Sequence, residues 1–268
     1  MKTKPVVLIT NDDGISAPGI FHLWNAVKDH CDTYIVAPHS EKSGSGLATT
    51  MGKPLWIMPH KWHDQITPAW CVNGTPADCV KLGLSVILND IKPDLILSGI
   101  NKGSNAGRNV LYSGTIGGTI EGALRGIPGI AFSCENYQNT VYDPTEKYIF
   151  PIIKYFIENQ LPHGTIINVT FPHNCHEIIA GIKLASQGKT YHMEQPDKRT
   201  NPSGYKYYWL GSKESTHDED AASDIALLKQ NYITAVPIHI SQLTDHKMLQ
   251  DHSSTFERIF EELNTETT

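Results

Sequence analysis

Short apolar, β-branched runs alternate with segments of helical periodicity along the first two-thirds of the sequence. Strands are predicted at residues 5–10, 32–38, 92–100, 127–133 and 163–172. Helices are predicted between them at 18–31, 74–88, 115–126 and 145–160. Two shorter runs, 53–58 and 69–74, are expected to pair as an antiparallel ribbon. This order predicts an α/β fold with a doubly wound, mostly parallel sheet.

The regularity decays after about residue 180, where polar turns surround an aromatic strand at 205–211. A short strand at 232–240 and an acidic helix at 245–263 close the chain. We find no repeat or linker and predict one domain, with a core at 1–185 and a C-terminal hairpin and helix appendage at 186–268. These last pieces have little apolar surface to bury against one another, so they predict a homodimer or homotetramer built through the appendage.

The charge balance restricts the partners of the chain. With 22 Lys and Arg against 28 Asp and Glu, the net charge is −6. Duplex nucleic acid needs clustered cations, so it is not expected as a partner. A small phosphorylated substrate remains compatible with this charge.

Cysteine usage and hydropathy indicate a location. The five cysteines are scattered and lack CxxC pairs, which is typical of reduced thiols. We see neither a signal peptide nor an apolar run near the roughly 20 residues that span a bilayer. The sequence therefore predicts a cytoplasmic protein without a membrane partner.

Polar residues follow several predicted strands at the point where each strand ends. In an open parallel sheet, ligands bind outside the carboxyl ends of the strands, so these residues are expected on one edge. They are Asp12 and Asp13 after the first strand, Ser43 and Gly44 after the second, Asn101 and Asn105 after strand 92–100, and Ser113, Gly114 and Thr115 at the next helix start.

The chemistry of this edge suits a cation and a phosphate. Adjacent carboxylates repel by about 1 kcal/mol at 4 Å in water, and carboxylate, hydroxyl and amide oxygens suit Mg²⁺ or Mn²⁺. A helix N-terminus at 113–115 suits a phosphate. A divalent metal beside a phosphate predicts hydrolysis by a metal-activated water. We expect Asp12 or Asp13 to orient or deprotonate that water.

Simpler interpretations stand beside these. The "NDDG" segment is compatible with a plain turn, "SGSG" with a flexible connector, and Thr75-Pro76 with a helix start. "HNCH" at 173–176 is interpreted as a polar turn and "HDED" at 217–220 as a solvated acidic turn. Among 13 histidines, only His39 lies near the predicted edge, and its role stays open.

Four motifs then resemble a known family in order and spacing. They are "TNDDGISAPGI", "APHSEKSGSG", "VNGTPADCV" and "PDLILSGINKGSNAGRNVLYSGTIGGTIEG". They look like SurE, the survival protein E family of metal-dependent 5'/3'-nucleotidases. The resemblance covers roughly residues 5–172 and is weak in the C-terminal third.

The resemblance implies a Rossmann-like core, nucleoside monophosphatase activity and oligomers that exchange C-terminal segments. It also implies one divalent metal per subunit, held by Asp12, Asp13, Ser43 and Asn101. Two segments depart from the family pattern. His39 and Ser40 stand where the family often has Asp-Arg, which leaves substrate preference open, and Gly117 and Gly118 stand where alanines are usual, which concerns local helix stability.

The predicted reaction is hydrolysis of nucleoside 5'- and 3'-monophosphates to nucleoside and phosphate. Two alternatives are a non-catalytic nucleotide-binding protein and a phosphoacceptor signalling module. The second alternative needs an aspartate at the end of strand 92–100, and the chain has Ser98-Gly99-Ile100-Asn101 there. The sequence does not specify the preferred base, the 5' or 3' position, or the physiological metal.

Overall fold

The fold was obtained as a computed structural model, which describes residues 4–211 and 213–265, with side chains as far as residue 258. The strands of the main sheet are β1 (Val6–Thr10), β2 (Asp32–Pro38), β3 (Ile57–Pro59), β4 (Ala69–Val72), β5 (Leu95–Lys102), β6 (Gly129–Cys134), β7 (Thr165–Phe171) and β8 (Gly181–Leu184). Outside it lie β9 (His192–Met193), β10 (Asp197–Thr200), β11 (Lys206–Trp209) and β12 (Lys213–Glu214), and β13 (Tyr232–His239) returns to it.

The helices are α1 (Pro18–Val27), α2 (Pro76–Leu82), α3 (Gly114–Ala123), α4 (Asp143–Glu158), α5 (Asp224–Leu228) and α6 (His246–Thr265). A π-helical turn, Gly83–Ile87, continues α2, and a 3-10 turn, Gly107–Leu111, precedes α3. Helix α1 ends four residues before its predicted end and α3 begins one residue earlier than predicted. None of the helices in the described ranges is long and apolar enough to cross a bilayer.

Within the described residues, nine strands form one sheet in the order β3-β4-β2-β1-β5-β6-β7-β13-β8. From β4 to β7 every neighbouring pair is parallel. Strand β3 pairs antiparallel with β4, as the predicted ribbon requires, and β13 pairs antiparallel with β7. The predicted α/β class with a mostly parallel sheet is confirmed.

Helices cover both faces of the sheet. In β1, Val7 and Ile9 join the apolar cluster that contains α1 and α4, whereas Leu8 joins the cluster that contains α2. This two-residue alternation is what a strand buried on both faces requires. Strand β1 therefore runs through the middle of the core. Its carboxyl end emerges where the carboxyl ends of the neighbouring parallel strands also lie.

The later part of the chain divides between the sheet and the surface. Strand β13 lies inside the sheet, between β7 and β8. Strands β10 and β11 instead form an exposed two-stranded ribbon, and β9 pairs with β12. The boundary at residue 185 stays a prediction, but the ribbon and α6 are the parts of 186–268 that stand apart from the sheet.

Candidate active site

The paired aspartates follow β1 directly. Asp12 is 3 % exposed, and its Oδ1 accepts a hydrogen bond from Thr115 Oγ1 at 2.5 Å. Asp13 lies beside it, and its Oδ2 accepts the backbone N–H of Lys102 at 3.0 Å. The end of β1 is thereby fixed both to the first turn of α3 and to the end of β5.

Within the described chain, neither carboxylate has a cationic side chain in direct contact, and only the more distant Lys102 lowers the pKa of Asp13 by its positive charge. Burial raises the pKa of Asp12, and the Thr115 hydroxyl opposes that rise. Burial first, and then the charge of Asp12, raises the pKa of Asp13 to about 6. Among the described side chains, no ion pair includes either aspartate. The site concentrates negative charge that a bound cation would relieve.

Asn101 and Ser43 bring neutral oxygens to the same place. Asn101 is 8 % exposed, and its Nδ2 donates to Gly103 O at 2.8 Å, so its Oδ1 is the acceptor end. The Ser43 hydroxyl donates to Glu41 Oε1 at 2.7 Å. Sequence reasoning missed Glu41, whose charge also raises the pKa of Asp13. The only sequence signal for it was its position in the loop that carries Ser43.

Two cavities meet at this point. The larger, about 710 Å³, is lined by six of the predicted site residues: Asp12, Ser43, Gly44, Asn101, Asn105 and Ser113. The smaller, about 410 Å³, is lined by Asp13 and Tyr142. Glu41 and Lys102 line both cavities, so the two aspartates look into neighbouring spaces across a shared wall.

Asn105 lines the larger cavity and carries a buried, unused donor. It is 5 % exposed, and within the described chain its Nδ2 has no hydrogen-bond partner. Its backbone is fixed, because its carbonyl accepts Asn168 Nδ2 at 2.9 Å. A buried amide without a partner costs about 1–3 kcal/mol, so this position suits a ligand with acceptor oxygens.

Ser113 also faces the larger cavity, where it is the N-cap of α3. Its Oγ accepts the backbone N–H of Ile116 at 3.2 Å, which leaves its own O–H free to donate.

Three predicted residues are placed elsewhere. The Thr115 side chain is fully buried and donates to Asp12, and neither Thr115 nor Gly114 lines the larger cavity. Their backbone N–H groups lower the pKa of Asp12, so the N-terminus of α3 acts on that carboxylate. The Thr115 hydroxyl is therefore engaged with Asp12, and phosphate binding by Gly114 and Thr115 stays a prediction. His39 is exposed and lines neither cavity.

Segments after residue 185 complete the wall of the larger cavity. Thr190, His192, Glu194 and Glu214 line it. They are held there because the 3-10 turn docks on this segment: Arg108 N donates to Thr190 O at 2.8 Å, and His192 N donates to Asn109 Oδ1 at 3.0 Å. Sequence reasoning did not assign these residues to the site, since their spacing carried no motif.

The ligand atoms available around Asp12 and Asp13 decide which metal this site would suit. In the part of the chain with described side chains, no three His, Cys, Asp or Glu residues group as metal ligands. A metal at Asp12 and Asp13 would therefore need the neutral oxygens of Ser43 and Asn101 as well. Such an all-oxygen set fits Mg²⁺ or Mn²⁺ and not zinc.

The chain is similar to one family throughout. The sequence profile described as "Survival protein SurE" matches residues 7–194. A protein of Protochlamydia amoebophila named 5'-nucleotidase SurE is 48% identical over 258 residues, covering 96% of this chain and 98% of that relative. A protein of the same name from Christiangramia forsetii is 42% identical and covers 94% of this chain and 97% of its own.

A solved structure agrees with the sequence match. The SurE protein from Aquifex aeolicus has a TM-score of 0.80 and 36% identity, covering 94% of this chain and 99% of that one. The profile match over residues 7–194 includes Asp12, Asp13, Ser43 and Asn101. The profile match, the sequence identity over nearly the whole length and the shared fold show that this chain belongs to the SurE family.

Proposed function

We propose that this protein hydrolyses nucleoside 5'- and 3'-monophosphates to nucleoside and phosphate at the edge formed by Asp12 and Asp13. The observation that carries the proposal is a pair of adjacent carboxylates, the buried Asp12 and the partly buried Asp13, with no ion-pair partner among the described side chains and beside a cavity that Asn105 and Ser113 line. Relatives over nearly the full length are named 5'-nucleotidase SurE, which supports the same reaction.

The family is metal-dependent in general, and the residues present fit a divalent cation. Asp12, Asp13, Ser43 and Asn101 would hold one Mg²⁺ or Mn²⁺ per subunit through oxygen atoms. When bound, such an ion polarises a phosphoryl oxygen and lowers the pKa of a water toward about 7.

Hydrogen-bond donors on the wall of the larger cavity would bind the phosphate. Asn105 and Ser113 line the cavity with an unpartnered amide nitrogen and a free hydroxyl donor, and Gly44 lies on the same wall, where its backbone can approach an oxygen. These groups would bind the equatorial phosphoryl oxygens. Thr115, which we had expected beside them, orients Asp12 through its hydroxyl. The role of Gly114 in the site is the same backbone support of Asp12.

The two cavities suggest how the carboxylates divide the work. In-line displacement places the attacking water and the leaving oxygen on opposite sides of phosphorus. Asp12 faces the larger cavity, which has room for the nucleotide, and Asp13 faces the smaller one. Asp13 would therefore accept a hydrogen bond from the attacking water and orient it, while Asp12 faces the phosphate.

A direct attack by water is favoured over a covalent intermediate. Among the described side chains, no serine hydroxyl or cysteine thiol is hydrogen bonded to a histidine ring. Acid quenching during turnover should trap no phosphoenzyme, and a trapped phosphoenzyme would contradict this route.

The decisive experiment measures phosphate release from a panel of 5'- and 3'-monophosphates. Activity should vanish with EDTA and return with Mg²⁺ or Mn²⁺, and Asp13→Asn should abolish it. Full turnover in chelator would refute the metal-dependent reaction. Nucleotide binding without phosphate release in any metal would support the non-catalytic alternative instead.

We also propose a homodimer or homotetramer. The β10–β11 ribbon exposes Tyr208 and Trp209, and α6 exposes Met248, Leu249 and Phe256. Such apolar side chains on an isolated ribbon and helix favour a protein partner, and a second copy is the simplest one. Light scattering tests this: a species at the 29.7 kDa mass of one chain would refute it. A cytoplasmic location fits the five cysteines, which are all free and buried.

A further inference from the structure

The larger cavity extends well beyond the phosphate end. Its volume of about 710 Å³ lies within the roughly 300–1,000 Å³ range of small-molecule sites, far above the need of a phosphate alone. Among the lining side chains that the proposed reaction does not use are one exposed aromatic ring and three carboxylates: Tyr137, Glu135, Glu194 and Glu214.

Tyr137 is held as a platform on this wall. A Cβ at Gly103, where φ is +109°, would lie 3.2 Å from Tyr137 Cδ2, so the glycine lets the ring rest against the backbone just after Asn101. Lys102 Nζ lies 4.7 Å from the ring centroid. The side chain is nevertheless 60 % exposed and lines the cavity, so ring surface remains for a stacked base.

Glu135 lies two residues before that ring. Its Oε2 accepts the backbone N–H of His173 at 2.9 Å, which fixes the carboxyl group. Burial raises its pKa, and the nearby charge of Glu214 raises it further. A carboxylate accepts hydrogen bonds and repels phosphate oxygens, so this end of the cavity excludes the phosphate and favours a group rich in N–H donors.

These features separate the two ends of a nucleotide. The proposed function places the phosphate at the part of the cavity wall formed by Asp12, Asn105 and Ser113. The aromatic platform and the carboxylates face the remaining space. A planar base with neighbouring N–H donors would satisfy both, and guanine presents two such donors, N1–H and the 2-amino group.

We propose that this end of the cavity binds the base of the nucleotide substrate, with the base stacked on Tyr137 and the donor edge of guanine bound to Glu135. The inference rests on the proposed nucleotidase function and names its preferred substrate class as guanosine monophosphates. Inosine monophosphate differs from guanosine monophosphate only by the missing 2-amino group, so the pair isolates the Glu135 contact.

The first experiment compares kcat/KM for GMP and IMP. A hydrogen bond to a charged group is worth about 1.5–3 kcal/mol, so wild type should favour GMP at least about tenfold. Glu135→Gln keeps the shape and an acceptor for His173 but removes the charge, and the ratio should fall to near one. Equal kcat/KM for GMP and IMP in wild type, or an unchanged ratio in Glu135→Gln, would overturn the proposal.

The second experiment tests the platform. Replacing an aromatic residue by alanine costs about 1–3 kcal/mol per stacked base. Tyr137→Ala should therefore lower the ratio of kcat/KM for GMP to that for ribose 5-phosphate about tenfold, and Tyr137→Phe should keep it. Tyr155→Ala, an exposed tyrosine on α4 away from both cavities, is the matched control. An equal loss for both substrates would mean that Tyr137 has only a structural role, and would overturn the proposal.

A third measurement tests the base site separately from the proposed hydrolysis. Calorimetric titration with GMP and IMP measures base recognition without turnover. If no phosphomonoester is hydrolysed yet GMP binds about tenfold more tightly than IMP, the proposed reaction fails and the base site stands. If phosphomonoesters are hydrolysed without discrimination between the two bases, the reaction stands and the base site fails.

Discussion

The hydroxyl of Thr115 donates to Asp12 Oδ1 at 2.5 Å, which joins the first turn of α3 to the carboxyl end of β1. Both side chains are buried, so solvent cannot replace this bond. The bond leaves Asp12 one oriented carboxylate oxygen for the cavity. A residue expected to bind phosphate is thus a positioning residue for a proposed metal ligand.

Thr115→Val should weaken metal binding with little change in fold, because valine has the shape of threonine but no donor for Asp12. Losing a hydrogen bond to a ligand typically costs about 10–100-fold in metal affinity. Calorimetric titration with Mn²⁺ measures this, and Thr115→Ser, which keeps the hydroxyl, is the control. Equal Mn²⁺ affinity in Thr115→Val and wild type would show that the bond does not support the site.

Metal and phosphate ligands should separate by their kinetic effects. Asn101→Ala removes a proposed metal oxygen and should raise the metal concentration needed for half-maximal activity. Ser113→Ala and Asn105→Ala should instead raise KM or lower kcat at saturating metal, because their donors face the phosphate. The two groups are assigned wrongly if Ser113→Ala shifts metal affinity and leaves the kinetics with nucleotide unchanged.

The fold could be predicted because its signals are local. Buried strands such as β1 and β5 are continuous apolar runs, and Thr75 forms the capping box with Asp78 that its position at a helix start indicates. Topology then placed Asp12, Ser43 and Asn101 on one edge without any knowledge of contacts.

The hydrogen-bond partners of individual side chains could not be predicted, because they depend on side-chain directions that the sequence does not encode. The position of Thr115 at a helix start predicted phosphate binding, but did not indicate that its hydroxyl donates to Asp12. The "HDED" segment is largely exposed, as a solvated turn requires, but its Glu219 also accepts the backbone N–H groups of Lys189 and Thr190. Both contacts join residues far apart in the sequence, which spacing along one chain cannot reveal.

In the metal-free protein, the pH dependence of the free energy of unfolding should depend on Asp13. Its pKa in the folded state, about 6, lies above the ordinary 3.8, so folding favours the protonated form. Its contribution is most favourable below pH 4 and is lost as the pH rises from about 4 to about 6. Urea unfolding of EDTA-treated protein should therefore show wild type losing stability relative to Asp13→Asn across that window.

The same proton should compete with the cation. Mn²⁺ should raise the Tm of wild type more at pH 7.5 than at pH 4.5, because Asp13 must be ionised to bind it. Asp13→Asn should show a small Mn²⁺ effect that does not change with pH. Parallel stability curves for wild type and Asp13→Asn in EDTA would contradict the raised pKa.

Gly117 tests how closely α3 approaches the loop that carries Ser43. Helix propensity alone predicts that Gly117→Ala adds about 1 kcal/mol of stability. A Cβ there would lie 2.2 Å from the backbone oxygen of Gly46, which cannot move as a side chain does. Overpacking of this kind costs about 1–3 kcal/mol, so we expect Gly117→Ala to unfold at a lower urea concentration than wild type.

Gly118→Ala is the matched comparison on the same helix. Its Cβ would lie 2.9 Å from Thr10 Cγ2, a side-chain atom with more freedom to shift, so the loss of stability should be smaller. Gly117→Ala should also weaken Mn²⁺ binding, because displacing Gly46 displaces Ser43 three residues earlier. If Gly117→Ala proves more stable than wild type, the helix and the loop do not approach this closely in solution, and the alanine usual in the family would simply be the better helix former.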